Sequence, residues 1–139
     1  MQTKQTALVL AITLGFIASS ANPSKGQTLF EAIQALDGNA FLYHPKTGQF
    51  LGNISSDNFD NRSICNNFGD YGSQFSDLSI FQRFGDYGSQ FSDLSAYNPH
   101  AQYPPVVVLP NGKSILLTKN PNFKAAIDPE LLLSIICKK

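Results

Sequence analysis

Two stretches of the chain set a carboxylate, a phenol and a hydroxyl within five residues: Gly69-Asp70-Tyr71-Gly72-Ser73 and Gly85-Asp86-Tyr87-Gly88-Ser89. Brought side by side, Asp70 and Asp86 could act as a general acid and base. Ser73 and Ser89 would need a neighbouring base to become nucleophiles, and no G-x-S-x-G elbow surrounds them. A hydroxyl that recurs in every unit is instead expected to bond back to the main chain in a turn. Tyr71 and Tyr87, set between Gly and Asp, are the aromatic side chains expected at the surface. A tyrosine platform beside carboxylate and hydroxyl hydrogen bonders suits a sugar, and repetition would supply avidity. Asp70, Tyr71, Ser73, Asp86, Tyr87 and Ser89 therefore make up the candidate binding surface, while most aromatics of the region are expected to form its core.

Metal chemistry has weaker support. His44 and His100 are far apart and lie in loops beside prolines, unlike the clustered ligands of a zinc site. Calcium is the weaker alternative to no cofactor at all, because each unit offers one Asp per turn and no D-x-D-x-D-G run. Gly-Asp-Tyr-Gly also puts an acid where a phosphate would sit, which argues against an anion cradle.

The motif recurs because the chain is internally duplicated. Phe68–Ser79 and Phe84–Ser95 are the same twelve residues, FGDYGSQFSDLS, offset by 16. Ser63-Ile64, Ser79-Ile80 and Ser95-Ala96 begin three units, and Tyr71, Tyr87 and Tyr103 share a column. Phe59 falls in the column of Phe75 and Phe91. The repeat zone runs from about residue 55 to 105. Its Gly-Asp-Tyr-Gly and Ser-Asp-Leu-Ser segments read as turns. Each unit is expected to be two short extended arms joined by turns, with the Phe and Tyr columns stacking against the rest of the domain. So few units need support from flanking elements. The zone carries Asp57, Asp60, Asp70, Asp77, Asp86 and Asp93 against Arg62 and Arg83, a balance of minus four.

Ser63-Ile64-Cys65-Asn66-Asn67-Phe68-Gly69-Asp70-Tyr71-Gly72-Ser73-Gln74-Phe75-Ser76 has the form S-I-x-N-x-x-G-x-Y-G-S-x-x-S. The run ends in Ser95-Ala96-Tyr97-Asn98-Pro99-His100-Ala101-Gln102-Tyr103-Pro104-Pro105. Together with Gly48-Gln49-Phe50-Leu51-Gly52 and Ser55-Ser56, this resembles a group of small exported bacterial proteins of unknown function, many of them cyanobacterial. The resemblance covers about residues 41 to 120; it implies an exported context and supplies no mechanism. One column departs: Gln82 stands where Asn occupies positions 66 and 98, so the middle unit must cap its turn differently.

The N-terminus carries its own signal for export. Lys4, the apolar run Ala7–Ala18 and the small residues Ser19-Ser20-Ala21 form the three parts of a secretory signal peptide over residues 1–21. The apolar run is too short to span a bilayer, and no later segment is long and apolar enough, so the mature chain is expected to have no membrane span. Residues 22–139 are then a single exported domain, secreted or periplasmic. In an oxidising compartment the two cysteines, Cys65 and Cys137, are expected to pair, the alternative being two buried thiols.

The flanks supply the elements that hold the repeat. Thr28-Leu29-Phe30-Glu31 has capping-box spacing before a helix that Gly38 can end. Phe41–Tyr43 and Gln49–Ile54 read as one hairpin; Val106–Leu109 and Ser114–Thr118 read as another, around Pro110-Asn111-Gly112. Asp128-Pro129-Glu130 opens a last helix through about Ile136. The expected fold is α+β: a small, mostly antiparallel sheet with two flanking helices and a turn-rich insert of 16-residue repeats.

Composition excludes one class outright. Ten Lys plus Arg balance ten Asp plus Glu in 139 residues, so the chain is no polybasic nucleic-acid binder. The expectation is a non-enzymatic exported protein with a structural or partner-binding role at the cell envelope, its partner an unknown glycan or protein. The alternative is a small secreted hydrolase or enzyme inhibitor that uses the repeat aspartates.

Overall fold

A computed structural model describes residues 27–138; the signal-peptide segment lies outside the described residues. The elements run α1 (Leu29–Gln34), β1 (Ala40–His44), β2 (Gln49–Ile54), β3 (Val106–Val108), β4 (Ser114–Leu117), β5 (Ala126–Ile127) and α2 (Pro129–Ile136). The chain divides into two compact units, one ending at Ala35 and the other running from Leu36 to Lys139.

In the first unit, α1 starts as its sequence predicts. The Glu31 N–H donates to Thr28 Oγ1 and the Thr28 N–H to Glu31 Oε1, both at 3.1 Å. The helix stops at Gln34, earlier than expected, with Ala35 as its cap. Gly38 then takes φ +79° inside the turn that follows.

The second unit is built on a five-stranded sheet of order β2-β1-β3-β4-β5, antiparallel except for the β4–β5 pair. Both expected hairpins are present and lie side by side through β1 and β3. In β1 Ala40, Leu42 and His44 are buried while Phe41 and Tyr43 are less so, the alternation of a half-covered strand. The β3–β4 turn places Gly112 at φ +84°, a conformation glycine adopts without strain. Strand β5 has two residues, too few for period-two patterning to reveal. Asp128 caps α2, its carboxylate accepting from the Glu130 and Leu131 N–H groups.

The repeat is the insert between β2 and β3, and it departs from the expected extended arms. From Asp57 to Ser95 the main chain is a continuous run of turns. The N–H of Ser63 donates to the carbonyl of Asp60, that of Asn66 to Ser63, that of Gly69 to Asn66, and so on along the zone. Four steps of three residues and one of four, across each Gly-Asp-Tyr-Gly, make up the 16-residue period. Ser, Asn, Asp or Gln at the head of a turn accepts the N–H two residues on: Asp57 from Phe59, Ser63 from Cys65, Asn66 from Phe68, Ser73 from Phe75, Ser79 from Phe81. These local bonds satisfy N–H groups that a strand ladder would otherwise have to satisfy, so extended structure gains nothing here.

The spiral winds tightly. A Cβ on Gly72 would run into the Asn66 carbonyl and lie 2.9 Å from Ile64 O; one on Gly88 would meet the Gln82 carbonyl and lie 2.6 Å from Ile80 O. Successive turns therefore pack main chain against main chain.

Both ends are fastened to the sheet. At the start, Asn53 of β2 forms a parallel bridge to Ser63, accepting from the Ile64 N–H and donating to Arg62 O. Gly52, at φ +114°, lets the first unit approach so closely that a Cβ there would lie 2.7 Å from Tyr71 Cβ. The Cys65–Cys137 disulfide ties the same unit to the end of α2, with Cα atoms 5.3 Å apart. At the far end, Lys119 N donates to Ala96 O and Asn120 Nδ2 to Ala101 O. Each unit contributes Ile64, Ile80 or Ala96, all fully buried, to the core that includes Leu42, Leu51, Val107, Leu117 and Leu132.

His44 is a third fastening. It is fully buried, with Nε2 2.7 Å from Tyr103 O and Nδ1 accepting the Thr47 N–H at 3.3 Å. An accepting Nδ1 fixes the neutral ring with its proton on Nε2. Burial, with Lys46 adding to it against the pull of main-chain carbonyls, holds its pKa below the usual 6.5. A protonated Nδ1 would lose Thr47, so protons favour the unfolded chain. Stability from this residue is full above about pH 6.5 and falls as pH drops below it. Thermal melts between pH 7.5 and 5.5 are expected to show a falling Tm, and His44→Gln is expected to flatten that slope. Equal slopes in the two proteins would refute the assignment. Asp128, whose carboxyl burial would raise but Lys119 lowers on balance, loses its contribution only below its ordinary 3.8, a separate window.

Candidate binding surface

The six residues singled out from the sequence separate into two groups. Asp70 and Asp86 are exposed in successive units, and neither carboxylate has a partner among the described residues. Ser73 and Ser89 are half-buried, and each hydroxyl accepts a main-chain N–H, from Phe75 at 3.1 Å and from Phe91 at 3.0 Å. They are turn formers, as the repetition suggested.

The tyrosines point inward, against the expectation that they are the exposed platform. Tyr71 is half-buried and meets the Phe50 ring edge-on at 5.0 Å. Tyr87 is buried against His44, with ring centroids 5.4 Å apart, and its hydroxyl donates to Thr47 Oγ1 at 3.0 Å. The Gly-Asp-Tyr-Gly context that suggested exposure serves instead to let one turn of the repeat pack against the turns before it.

The exposed aromatics are phenylalanines. Phe59, Phe68, Phe75, Phe84 and Phe91 are 80–98% exposed. They form two columns of the repeat, Phe59-Phe75-Phe91 and Phe68-Phe84, and His100 continues the second. Burying a phenylalanine is worth roughly 2 kcal/mol, so leaving five in water forgoes a large share of a small domain's stability. In the same units Gln74, Gln90, Asp77 and Asp93 are exposed with Asp70 and Asp86. Phe68–Ser79 and Phe84–Ser95 share burial class at every position but that of the tyrosines, so the two units present the same surface twice. Arg62 lies over the Phe50 ring at 4.4 Å, which holds its guanidinium against the sheet.

One signal in the sequence could have found the phenylalanine surface. The zone reads in threes, with Ser, Asn, Asp, Gln or Gly heading each turn and a large side chain third: Asn66-Asn67-Phe68, Gly69-Asp70-Tyr71, Ser73-Gln74-Phe75, Ser76-Asp77-Leu78. That period matches neither strand nor helix, and it sends third positions in different directions around the spiral.

Among the described residues no group of three His, Cys, Asp or Glu side chains could hold a metal ion. His44 is engaged as above, and His100 is exposed. An open cleft of about 460 Å³ lies where the spiral leaves the sheet, lined by residues that include Phe41, Asn53, Ser55 and Asp60.

The Gln82 exception has a geometric meaning. Asn66 and Asn98 do two jobs: each Oδ1 accepts a turn N–H, and each Nδ2 reaches back six residues to a carbonyl, Asp60 O at 3.2 Å and Ser92 O at 3.0 Å. Gln82 caps its turn through Phe84 N at 3.2 Å, and its longer side chain leaves the matching Ser76 carbonyl without that bridge. Gln82→Asn is expected to add the bridge and stabilise by roughly 1 kcal/mol, a few degrees of Tm. An unchanged or lower Tm would show that the middle unit cannot close as its neighbours do.

Comparison with protein families, curated proteins and solved structures gives no match for this chain.

Proposed function

We propose that this is a non-enzymatic exported protein that binds a partner at the cell envelope through its repeat spiral. The observation that carries the reading is the double column of exposed phenylalanines. Apolar side chains scattered singly on a surface are ordinary, but phenylalanines that stay 80–98% exposed at the same two columns of the repeat are a regular feature that suits an interaction surface. The spiral that presents it is held by main-chain turns, a disulfide and both ends of the sheet, so the phenylalanines are not needed to hold the fold. The disulfide suits an oxidising compartment, in keeping with the export signal in the sequence.

Replacing Phe68, Phe75, Phe84 and Phe91 with Ser tests this. Substitutions at such exposed positions are expected to move stability by no more than about 0.5 kcal/mol each. The wild-type protein is expected to be retained by envelope material that includes its polysaccharides, and the variant to be washed off. Equal retention of the two proteins would refute the reading.

A further inference from the structure

We infer that the partner is a cationic, extended polypeptide segment, rich in Lys or Arg, lying along the two phenylalanine columns; this rests on the spiral being the binding surface. The charge of the units that carry the columns selects it. Asp70, Asp77 and Asp86 expose carboxylates with no partner among the described residues, and Asp93, also exposed, already accepts the Gln102 N–H. The repeat zone's positive charges are two, Arg62, which lies over Phe50, and Arg83, both exposed, against its six carboxylates. An anionic polymer or bilayer would be repelled. A neutral glycan hydrogen-bonds carboxylates through its hydroxyls but leaves their charge unneutralised. A cationic chain neutralises the carboxylates, and its ammonium or guanidinium groups are also attracted to the phenylalanine faces. The occupant is extended because the surface repeats. Two units carry the same Asp, Gln and Phe set in the same exposure, so a chain with regularly spaced cations engages both and the second contact is intramolecular. The protein already contains the elementary contact: Lys46 Nζ sits 3.9 Å from the centre of the Tyr103 ring, in the column of the repeat tyrosines.

The test uses the full-length protein and fluorescent oligolysines of about four and about twelve residues, read by anisotropy at low and physiological salt. The longer probe is expected to bind at least about tenfold more tightly than the shorter. Two variants are each expected to weaken it at least about tenfold: F68S/F75S/F84S/F91S, which leaves the charge unchanged, and D70N/D77N/D86N, which leaves the aromatics. If the Phe variant binds oligolysine as the wild type does, the attraction is plain charge and the inference falls. If a neutral cello- or chito-oligosaccharide binds more tightly and the Phe variant loses it, the surface is a binding site but its partner is a glycan. If sedimentation shows the wild type associating with itself, and the Phe variant does not, the partner is a second copy. If no probe binds and the Phe variant behaves as wild type throughout, the surface reading and the cationic partner fall together.

Discussion

Alanine at Gly72 or at Gly88 is expected to destabilise the protein by about 3 kcal/mol or more, as an overpacked site that cannot relax. Side-chain rotation relieves most overpacking, but here the atoms in the way are main chain. The Gly72 Cβ would collide with the Asn66 carbonyl oxygen and lie 2.6 Å from its carbon; the Gly88 Cβ would collide with the Gln82 carbonyl and lie 2.9 Å from its carbon. Those carbonyls also accept the N–H of Gly69 and Gly85, so moving them breaks the next turn. The comparison is Gly112→Ala, at φ +84° with nothing within 4 Å of the new Cβ. It carries only the strain of a left-handed backbone, about 1–2 kcal/mol. Urea unfolding of the three variants ranks them. A Gly72 or Gly88 variant no less stable than the Gly112 variant would mean that the turns do not pack as described.

Removal of the disulfide by the double change Cys65→Ala and Cys137→Ala is expected to cost roughly 4 kcal/mol on the chain-entropy model. The bond spans 72 residues of sequence, a long loop, so the unfolded chain gains much freedom when it is cut. A domain of this size has about 5–15 kcal/mol in total, so the loss lowers Tm by many degrees. The effect is also local. Cys65 is the third residue of the first full repeat unit, and Cys137 caps α2. Without the bond, faster amide exchange is expected in α2 and around Asn66–Ser73 ahead of the sheet. A Tm in strong reductant within about 2 °C of the oxidised value would refute this, since roughly 4 kcal/mol is several times that shift.

Much of the framework was legible because it rests on local chemistry. Thr28 with Glu31, Asp128 with Pro129, and Pro110-Asn111-Gly112 announce their caps and turn through bonds that close within a few residues. The hairpins at β1–β2 and β3–β4 follow from apolar runs around those turns. Strand β5 escaped because two residues carry no pattern; its pairing with β4 is settled by the geometry of the segment Thr118–Ala125. The turns of the repeat were legible at Gly-Asp-Tyr-Gly and Ser-Asp-Leu-Ser. The segments between them, expected to be extended, are turns as well, because Ser73, Ser79 and Gln82 also accept the N–H two residues on.

The sequence by itself determined that there is a duplicated unit, where it begins and ends, and that its Ser and Asn side chains bond to their own main chain. Each of these depends on neighbours along the chain. Only the tertiary structure decided which aromatics face water. Tyr71 and Phe75 are four residues apart in the same unit, yet one packs on Phe50 and the other is 80% exposed. The tyrosines meet residues far away along the chain, Phe50 for Tyr71 and His44 and Thr47 for Tyr87, while the phenylalanine columns meet water. Those contacts depend on how the spiral seats against the sheet, which neither composition nor strand and helix periodicity records.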